Sequence, residues 1–351
     1  MTFRTKPVAL VLALIAGLLL VSVASAGSNG QGKGKSPSHD DIVGYWTADR
    51  IAGATPRDIS RGPGADSRQP SKKPDNPGGG NGGGGNGGGG GGKPGGGDSA
   101  VKGAPWDGTG AVQDTTGKIL FTMGGSDYVC SGSVVNDGSL TDGKSIVLTA
   151  GHCVLDDVTD LFATNFAFMP DFQASTTGSA SDCASTPHGC WTASALVTTT
   201  AWATRDFDDD YGFAVLNDGG GNPGSLEGTV GTQDIVFNYS RATDVHAFGY
   251  PHASPYDGTV LTYCAGREVS NPYGETSYGL KCDMTGGSSG GPWFAEFDAD
   301  SGEGKITSLN SFKYNGGKYK SYMFGPTFDA YTAATFAVAK SAIADVMVPA
   351  P

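Results

Sequence analysis

Ser145-Ile146-Val147-Leu148-Thr149-Ala150-Gly151-His152-Cys153 carries an apolar run onto a histidine, and far downstream the chain reads Gly287-Ser288-Ser289-Gly290-Gly291-Pro292. The first stretch reads as a short β-strand that delivers an imidazole at its end. The second sets a serine in a turn crowded with glycine. A serine hydroxyl is a poor nucleophile at neutral pH, so it needs an imidazole within hydrogen-bond reach and a third group to hold that imidazole. Glycines without Cβ atoms let the backbone turn sharply and aim N–H groups at a developing oxyanion.

The acid that would orient the imidazole is sought between these stretches. Asp206, Asp208 and Asp209 belong to an acidic run of the kind that forms a solvated face, whereas Asp210 adjoins the apolar run Phe213 to Leu216, which should bury it. The order along the chain is then His152, Asp210, Ser289. The glycine-flanked serine also fits the G-x-S-x-G elbow of α/β-hydrolases, but that fold places its histidine after the serine. No histidine follows Ser289, and the last of the five is His252.

These residues resemble the chymotrypsin-like serine peptidases, whose histidine stands in T-A-G-H-C and whose serine stands in G-D-S-G-G-P; the first match is complete and the second departs at Ser288. The resemblance implies an all-β fold of two antiparallel six-stranded β-barrels with a C-terminal α-helix and the active site in the cleft between barrels. It implies His152, Asp210 and Ser289 as a catalytic triad, with an oxyanion hole made by the N–H groups of Gly287 and Ser289, and hydrolysis of peptide bonds through an acyl-enzyme. In trypsin-type zymogens an aspartate at the place of Ser288 pairs with the new N-terminal ammonium, which a serine cannot do. Asp107 to Val112 also lacks an I-V-G-G start. The likeness therefore runs toward the bacterial secreted glutamyl-endopeptidase-like branch, which Asp210-Tyr211-Gly212 and Phe248-Gly249-Tyr250-Pro251 also resemble. By the same resemblance Asn310, Ser311, Phe312 and Asp283 are expected at the substrate: Ser311 bonds substrate backbone, Asn310 stands where glutamate-specific relatives keep a histidine, and Asp283 matches the place of trypsin's acid. Lys313 is a charge that would compensate for the missing histidine. The residue preference at the cleaved bond stays open.

Around this core the chain has three parts. Arg4, Lys6, an apolar run from Val8 to Val23 and Ala24-Ser25-Ala26 read as a signal peptide over residues 1–26. Residues 27–105 are rich in Gly, Pro and Ser, nearly all glycine from Pro77 to Gly97, and read as a largely disordered pro-segment or linker. One island, Ile42-Val43-Gly44-Tyr45-Trp46-Thr47 with Arg50-Ile51-Ala52, has the aromatics to dock on the downstream domain. Residues 106–351 form the peptidase domain.

Residues 1–105 carry 12 Lys and Arg against 7 Asp and Glu, and the remainder 11 against 28. The acidic domain excludes nucleic acid and anionic membrane as partners after signal cleavage, and leaves protein or peptide substrates and the chain's own basic pro-segment; a secreted, extracellular monomer without cofactor or metal is expected. Short β-type runs, at Lys118–Met123, Val129–Val135, Ser145–Thr149, Asn165–Met169, Ala195–Thr199, Gly212–Leu216, Val245–Phe248, Thr259–Ala265, Pro292–Phe297 and Lys305–Phe312, alternate with Gly, Asn, Asp and Pro, and Asp329 to Val346 has helical spacing.

All six cysteines lie beyond residue 105, and their even number in an exported chain implies three disulfides. Spacing alone leaves many pairings open. The resemblance selects Cys130 with Cys153; Cys183 and Cys190 then close a small loop and Cys264 pairs with Cys282. A zinc site is disfavoured by the lack of any C-x-x-C pair. Two readings from other classes remain beside the peptidase: a catalytically silent binding protein on the same fold, and a surface protein tethered by its glycine tract.

Overall fold

The computed structural model describes residues 37–62, 100–138, 144–173, 182–218 and 224–351. The expected signal peptide and the glycine tract at 77–97 lie outside the described residues, and no described helix is long and apolar enough to cross a membrane. In chain order the principal elements are α1 (His39–Tyr45), α2 (Ala48–Gly53), β1 (Thr55–Pro56), β2 (Ser60–Arg61), β3 (Val101–Pro105), β4 (Thr116–Met123), β5 (Ser126–Val135), β6 (Ser145–Thr149), β7 (Thr164–Pro170), β8 (Trp191–Thr199), β9 (Gly212–Asp218), β10 (Asp244–Gly249), β11 (Thr262–Arg267), β12 (Tyr278–Lys281), β13 (Pro292–Asp298), β14 (Glu303–Leu309), β15 (Phe312–Tyr314), β16 (Tyr322–Gly325) and α3 (Ala330–Ala339).

Strands β5, β4, β7, β8, β9 and β6 pair antiparallel in that order, and β6 pairs back onto β5, closing a six-stranded barrel. Closure abolishes free edges and gives β6 two neighbours, so all five of its residues are buried. The second half is built from two hydrogen-bonded sheets. One runs β14, β13, β10, β11, β3, and the other β12, β16, β15, β2. The arrangement is that of a chymotrypsin-like two-barrel fold. The ladder of the second half breaks between β14 and β15, because Asn310 and Ser311 leave it to bond the serine loop and Asp210.

Strands β3, β12 and β16 escaped the sequence pattern because V-K-G-A-P, Y-G-L-K and Y-M-F-G are short, glycine-bearing stretches with little alternation to register. β3 also lies on the linker side of the boundary drawn at residue 105, where its pairing with β11 from Thr262 to Ala265 makes it part of the sheet. The C-terminal helix is shorter than expected. Asp329 caps it with Thr332 in a reciprocal box, but it ends at Ala339; Asp345 then accepts from the Leu196 N–H, and Val346–Val348 pairs with Val197–Thr199 as a strand.

Ser38 and Asp41 form a capping box that starts α1, and Thr47 caps α2. Together they bury Ile42, Trp46, Ile51 and Ala54 in the main core, and the Trp46 indole donates to Asn165 O at 2.7 Å. The aromatic island thus docks on the barrel, and the arginines in and just after it meet acids: Arg50 with Asp127, Arg57 with Asp156 and Asp157, Arg61 with Glu275.

Three disulfides link Cys130 with Cys153, Cys183 with Cys190 and Cys264 with Cys282. The first ties β5 to the turn that carries His152, closing a 23-residue span. Replacing both Cys130 and Cys153 by serine is expected to cost roughly 3 kcal/mol of stability from loop-closure entropy alone. Thermal unfolding should show this as a fall in Tm of about 10 °C, given the domain's size.

Candidate active site

His152 sits in a single 3-10 turn, Gly151–Cys153, directly after β6, so the apolar strand fixes where the imidazole emerges. Gly151 is needed there, since a Cβ would stand 2.8 Å from the Trp202 ring and 3.1 Å from Asp210 Oδ1. Asp210 comes off the short turn that precedes β9, and β9 pairs with β6 from Gly212 opposite Thr149. That pairing brings acid and base together.

The His152 backbone N–H donates to Asp210 Oδ1 at 2.9 Å, and its Nδ1 bonds Asp210 Oδ2 at 2.8 Å. Ser311 Oγ donates to the same Oδ2 at 2.5 Å. Both ionisable side chains are 0 % exposed. A carboxylate that accepts three hydrogen bonds is satisfied in spite of its burial. The one ring atom left over is Nε2, buried and without a hydrogen-bond partner among the described residues, so it is not yet bonded to Ser289 Oγ. Such bonds are often long in the unliganded state and tighten with substrate.

Ser289 is held by the backbone around it. Ser131 N donates to Ser289 O at 2.7 Å, Ser131 Oγ donates to Gly287 O at 2.9 Å, and Gly290 N donates to Asn310 O at 2.7 Å. Gly287 and Gly290 have φ of 98° and 83°, the left-handed region that favours glycine. A Cβ at Gly290 would overlap Thr149 Oγ1 and Ser131 O, so side chains are excluded by space as well as by conformation. The N–H groups of Gly287 and Ser289 make no hydrogen bond to any described residue. They are available donors beside the serine.

The remaining sequence candidates divide. Ser311 meets Asp210, and Phe312 and Ser311 line a pocket beside Ser289. Asn310 does not face that pocket: it is 0 % exposed, and its amide donates to Phe248 O and Ser288 O while its oxygen accepts from the Trp293 indole. It is corrected from a substrate contact to a strut of the serine loop, for a buried amide must spend its hydrogen bonds on the groups around it. Asp283 is likewise outside the pocket lining; it is exposed and accepts from Tyr256 OH at 2.6 Å. Ser288 turns its hydroxyl onto Thr285 O at 2.8 Å. Lys313, by contrast, does line the pocket and donates to Cys282 O and Met284 O. Sequence reasoning missed Arg57 and Asp58, which reach the same cleft from the N-terminal side: Arg57 Nε donates to His152 O at 2.9 Å, and Asp58 lines the pocket. They lie in a polar stretch with the composition of a linker.

Among the described residues two groups gather enough ligand types for a metal. In Cys130, His152 and Cys153 both sulfurs are in a disulfide, and in Asp114, Asp171 and His188 the Asp171 carboxylate already accepts from Gln113.

Asp209, next to the buried acid, has its carboxyl pushed up to about 7, by burial first and then by Asp206, Asp329 and Asp208, against a lowering hydrogen bond from Tyr211. A raised carboxyl binds its proton more tightly folded than unfolded. Its contribution is greatest below the ordinary carboxylate range, near pH 4, and is lost as pH rises to about 7. Asp209→Asn is therefore expected to raise Tm by several degrees at pH 8 and to leave it unchanged at pH 4, read by thermal unfolding at the two pH values.

Comparison with known proteins fits this geometry. Residues 101–218 match the family model of the lysyl endopeptidase C-terminal domain. The protease Anisep from Arthrobacter nicotinovorans is 38% identical over 65% of this chain and 96% of its own, with a TM-score of 0.56. The chain belongs to the bacterial trypsin-like serine proteases. A second member of that family, the thermostable serine protease AL20 from an extremophilic microorganism, is 37% identical over 66% of this chain and 99% of its own, with a TM-score of 0.56. A Glu endopeptidase, 17% identical over 69% of this chain and 98% of its own with a TM-score of 0.51, shares the fold. No curated protein sequence matches the chain.

Proposed function

We propose that this protein is a secreted serine endopeptidase in which His152, Asp210 and Ser289 act as the triad and the N–H groups of Gly287 and Ser289 form the oxyanion hole. The observation that carries the reading is the buried bond from His152 Nδ1 to Asp210 Oδ2, which leaves Nε2 as the only ring atom still to be used. His152 takes the proton of Ser289, Ser289 attacks the peptide carbonyl, and the imidazolium returns the proton to the leaving amine; water then hydrolyses the acyl-enzyme. Asp210 accepts the Nδ1 proton in a hydrogen bond and stabilises the imidazolium. Aiming fixed N–H donors at the tetrahedral oxygen contributes about 3 kcal/mol for one donor. Ser131 and Asn310 support these donors by bonding Gly287 O and Ser288 O.

Export is supported by the signal-like start and by three disulfides, which persist in oxidising compartments. The experiment is hydrolysis of an unfolded polypeptide, with fragments identified by mass spectrometry, by the parent chain and by Ser289→Ala. Internal cuts made by the parent alone support an endopeptidase. An intact polypeptide in both, together with no labelling of Ser289 by a small fluorophosphonate, supports the silent binding protein.

A further inference from the structure

The segment after α2 crosses the cleft. β1 pairs in parallel with Tyr128–Val129 of β5, and β2 pairs in parallel with Lys313–Tyr314 of β15, while Asn315 N donates to Arg61 O at 2.8 Å. Both ends of the segment are pinned. Arg57 bonds His152 O and Asp157, and Arg61 is buried in an ion pair with Glu275 beneath the rings of Phe207 and Phe312. A linker merely passing by would not bury an arginine, because an unpaired guanidinium is costly to desolvate.

Between the pins, Asp58 lies on Gly286 so closely that a Cβ there would stand 2.9 Å from Asp58 Cγ. Asp58 and Gly286 line one pocket with Ser289, Ser311, Lys313 and Met323. The Lys313 ammonium donates to Cys282 O at 2.9 Å and Met284 O at 3.1 Å, which uses two of its three donors. Asp58 keeps an open side to solvent, as a residue at a pocket mouth does, yet burial is still the largest influence on its carboxyl and raises its pKa. The charges of His152 and Lys313 act on it in the opposite sense. An acid thus shares one pocket wall with Ser289 and the pocket's cation.

We infer that Thr55–Arg61 is a built-in occupant of the substrate cleft that presents Asp58 as a stand-in for substrate, to a pocket in which Lys313 selects acidic side chains. The inference rests on Ser289 being the nucleophile. In the intact chain the strap covers the site, and a substrate must displace it. The pocket's ligand class is a carboxylate side chain on the residue whose carbonyl is attacked.

The test uses the full-length chain, Asp58→Ala and the near-isosteric Asp58→Asn, with a small alkyl fluorophosphonate and with peptidyl phosphonates bearing Glu, Leu or Lys side chains next to phosphorus. Rates of Ser289 labelling are read by mass spectrometry. Both variants are expected to label with the small reagent about tenfold or more faster than the parent, because a less firmly seated occupant leaves Ser289 uncovered for a larger share of the time. In Asp58→Ala the Glu reagent is expected to react about tenfold faster than the Leu or Lys reagents, and adding Lys313→Met should equalise Glu and Leu. Equal labelling of parent and both variants overturns the strap alone, and a preference for Leu or Lys overturns the acidic pocket. No labelling of any protein by the small reagent overturns the nucleophile and this inference with it.

Discussion

Ser289→Ala is expected to hydrolyse peptide bonds about a million-fold more slowly than the parent chain, measured as kcat on the same form of the protein. That loss corresponds to about 8 kcal/mol of barrier. The size follows from how the three groups work as a unit: without the hydroxyl there is nothing for His152 to deprotonate, and Asp210 then orients a base with no task. A residual rate about a thousand-fold or more above water remains, because the N–H groups of Gly287 and Ser289 still stabilise a tetrahedral oxygen. His152→Ala should fall to the same floor, and combining the two should lower the rate no further. Additive losses would mean that the two side chains act separately.

Asp210→Asn is expected to lower kcat by about ten-thousand-fold, roughly 5.5 kcal/mol, while the protein folds normally. The hydrogen bonds dictate this outcome. The His152 backbone N–H can only donate, and it points at Oδ1, so the asparagine oxygen takes that place. Its NH2 group then falls where Oδ2 meets Nδ1 of the ring and the Ser311 hydroxyl. Ser311 can rotate to accept, but Nδ1 can accept only in the tautomer that carries its proton on Nε2. The imidazole is then no longer a base toward Ser289. Kinetics should therefore show a kcat loss with little change in KM, as expected for a group that acts in the transition state.

Much of this site was legible because its parts are local. T-A-G-H-C and G-S-S-G-G-P each announce their role within six residues, and Asp210 is singled out by the apolar run that buries it. The strands of the closed barrel were legible for the same reason, since β4 to β9 are long enough to show their pattern, whereas their closure into a barrel was implied by the family resemblance and not by the pattern. What stayed hidden depends on contacts between distant segments. Asn310 looks like a cleft residue in the chain, yet Trp293, Phe248 and Ser288 surround it and consume its amide. Asp283 follows a disulfide-bonded cysteine, is exposed and accepts from Tyr256, a residue 27 positions away. Lys313 can be read as a charge near the cleft, but its direction is set by the carbonyls of Cys282 and Met284, which no local pattern encodes. The strap is the extreme case. Thr55 to Arg61 has the composition of a linker, and gains structure only from strand edges and acids that lie 70 or more residues away, as at Tyr128, Asp157 and Glu275.

The most direct measurement is the site of covalent modification by a serine-directed fluorophosphonate, mapped by peptide mass spectrometry on the parent chain and on Ser289→Ala. A single adduct on Ser289, absent from the variant and slowed by Asp210→Asn, is the predicted result. An adduct on another residue, or equal labelling of parent and Ser289→Ala, would contradict the assignment of His152, Asp210 and Ser289 as one catalytic unit.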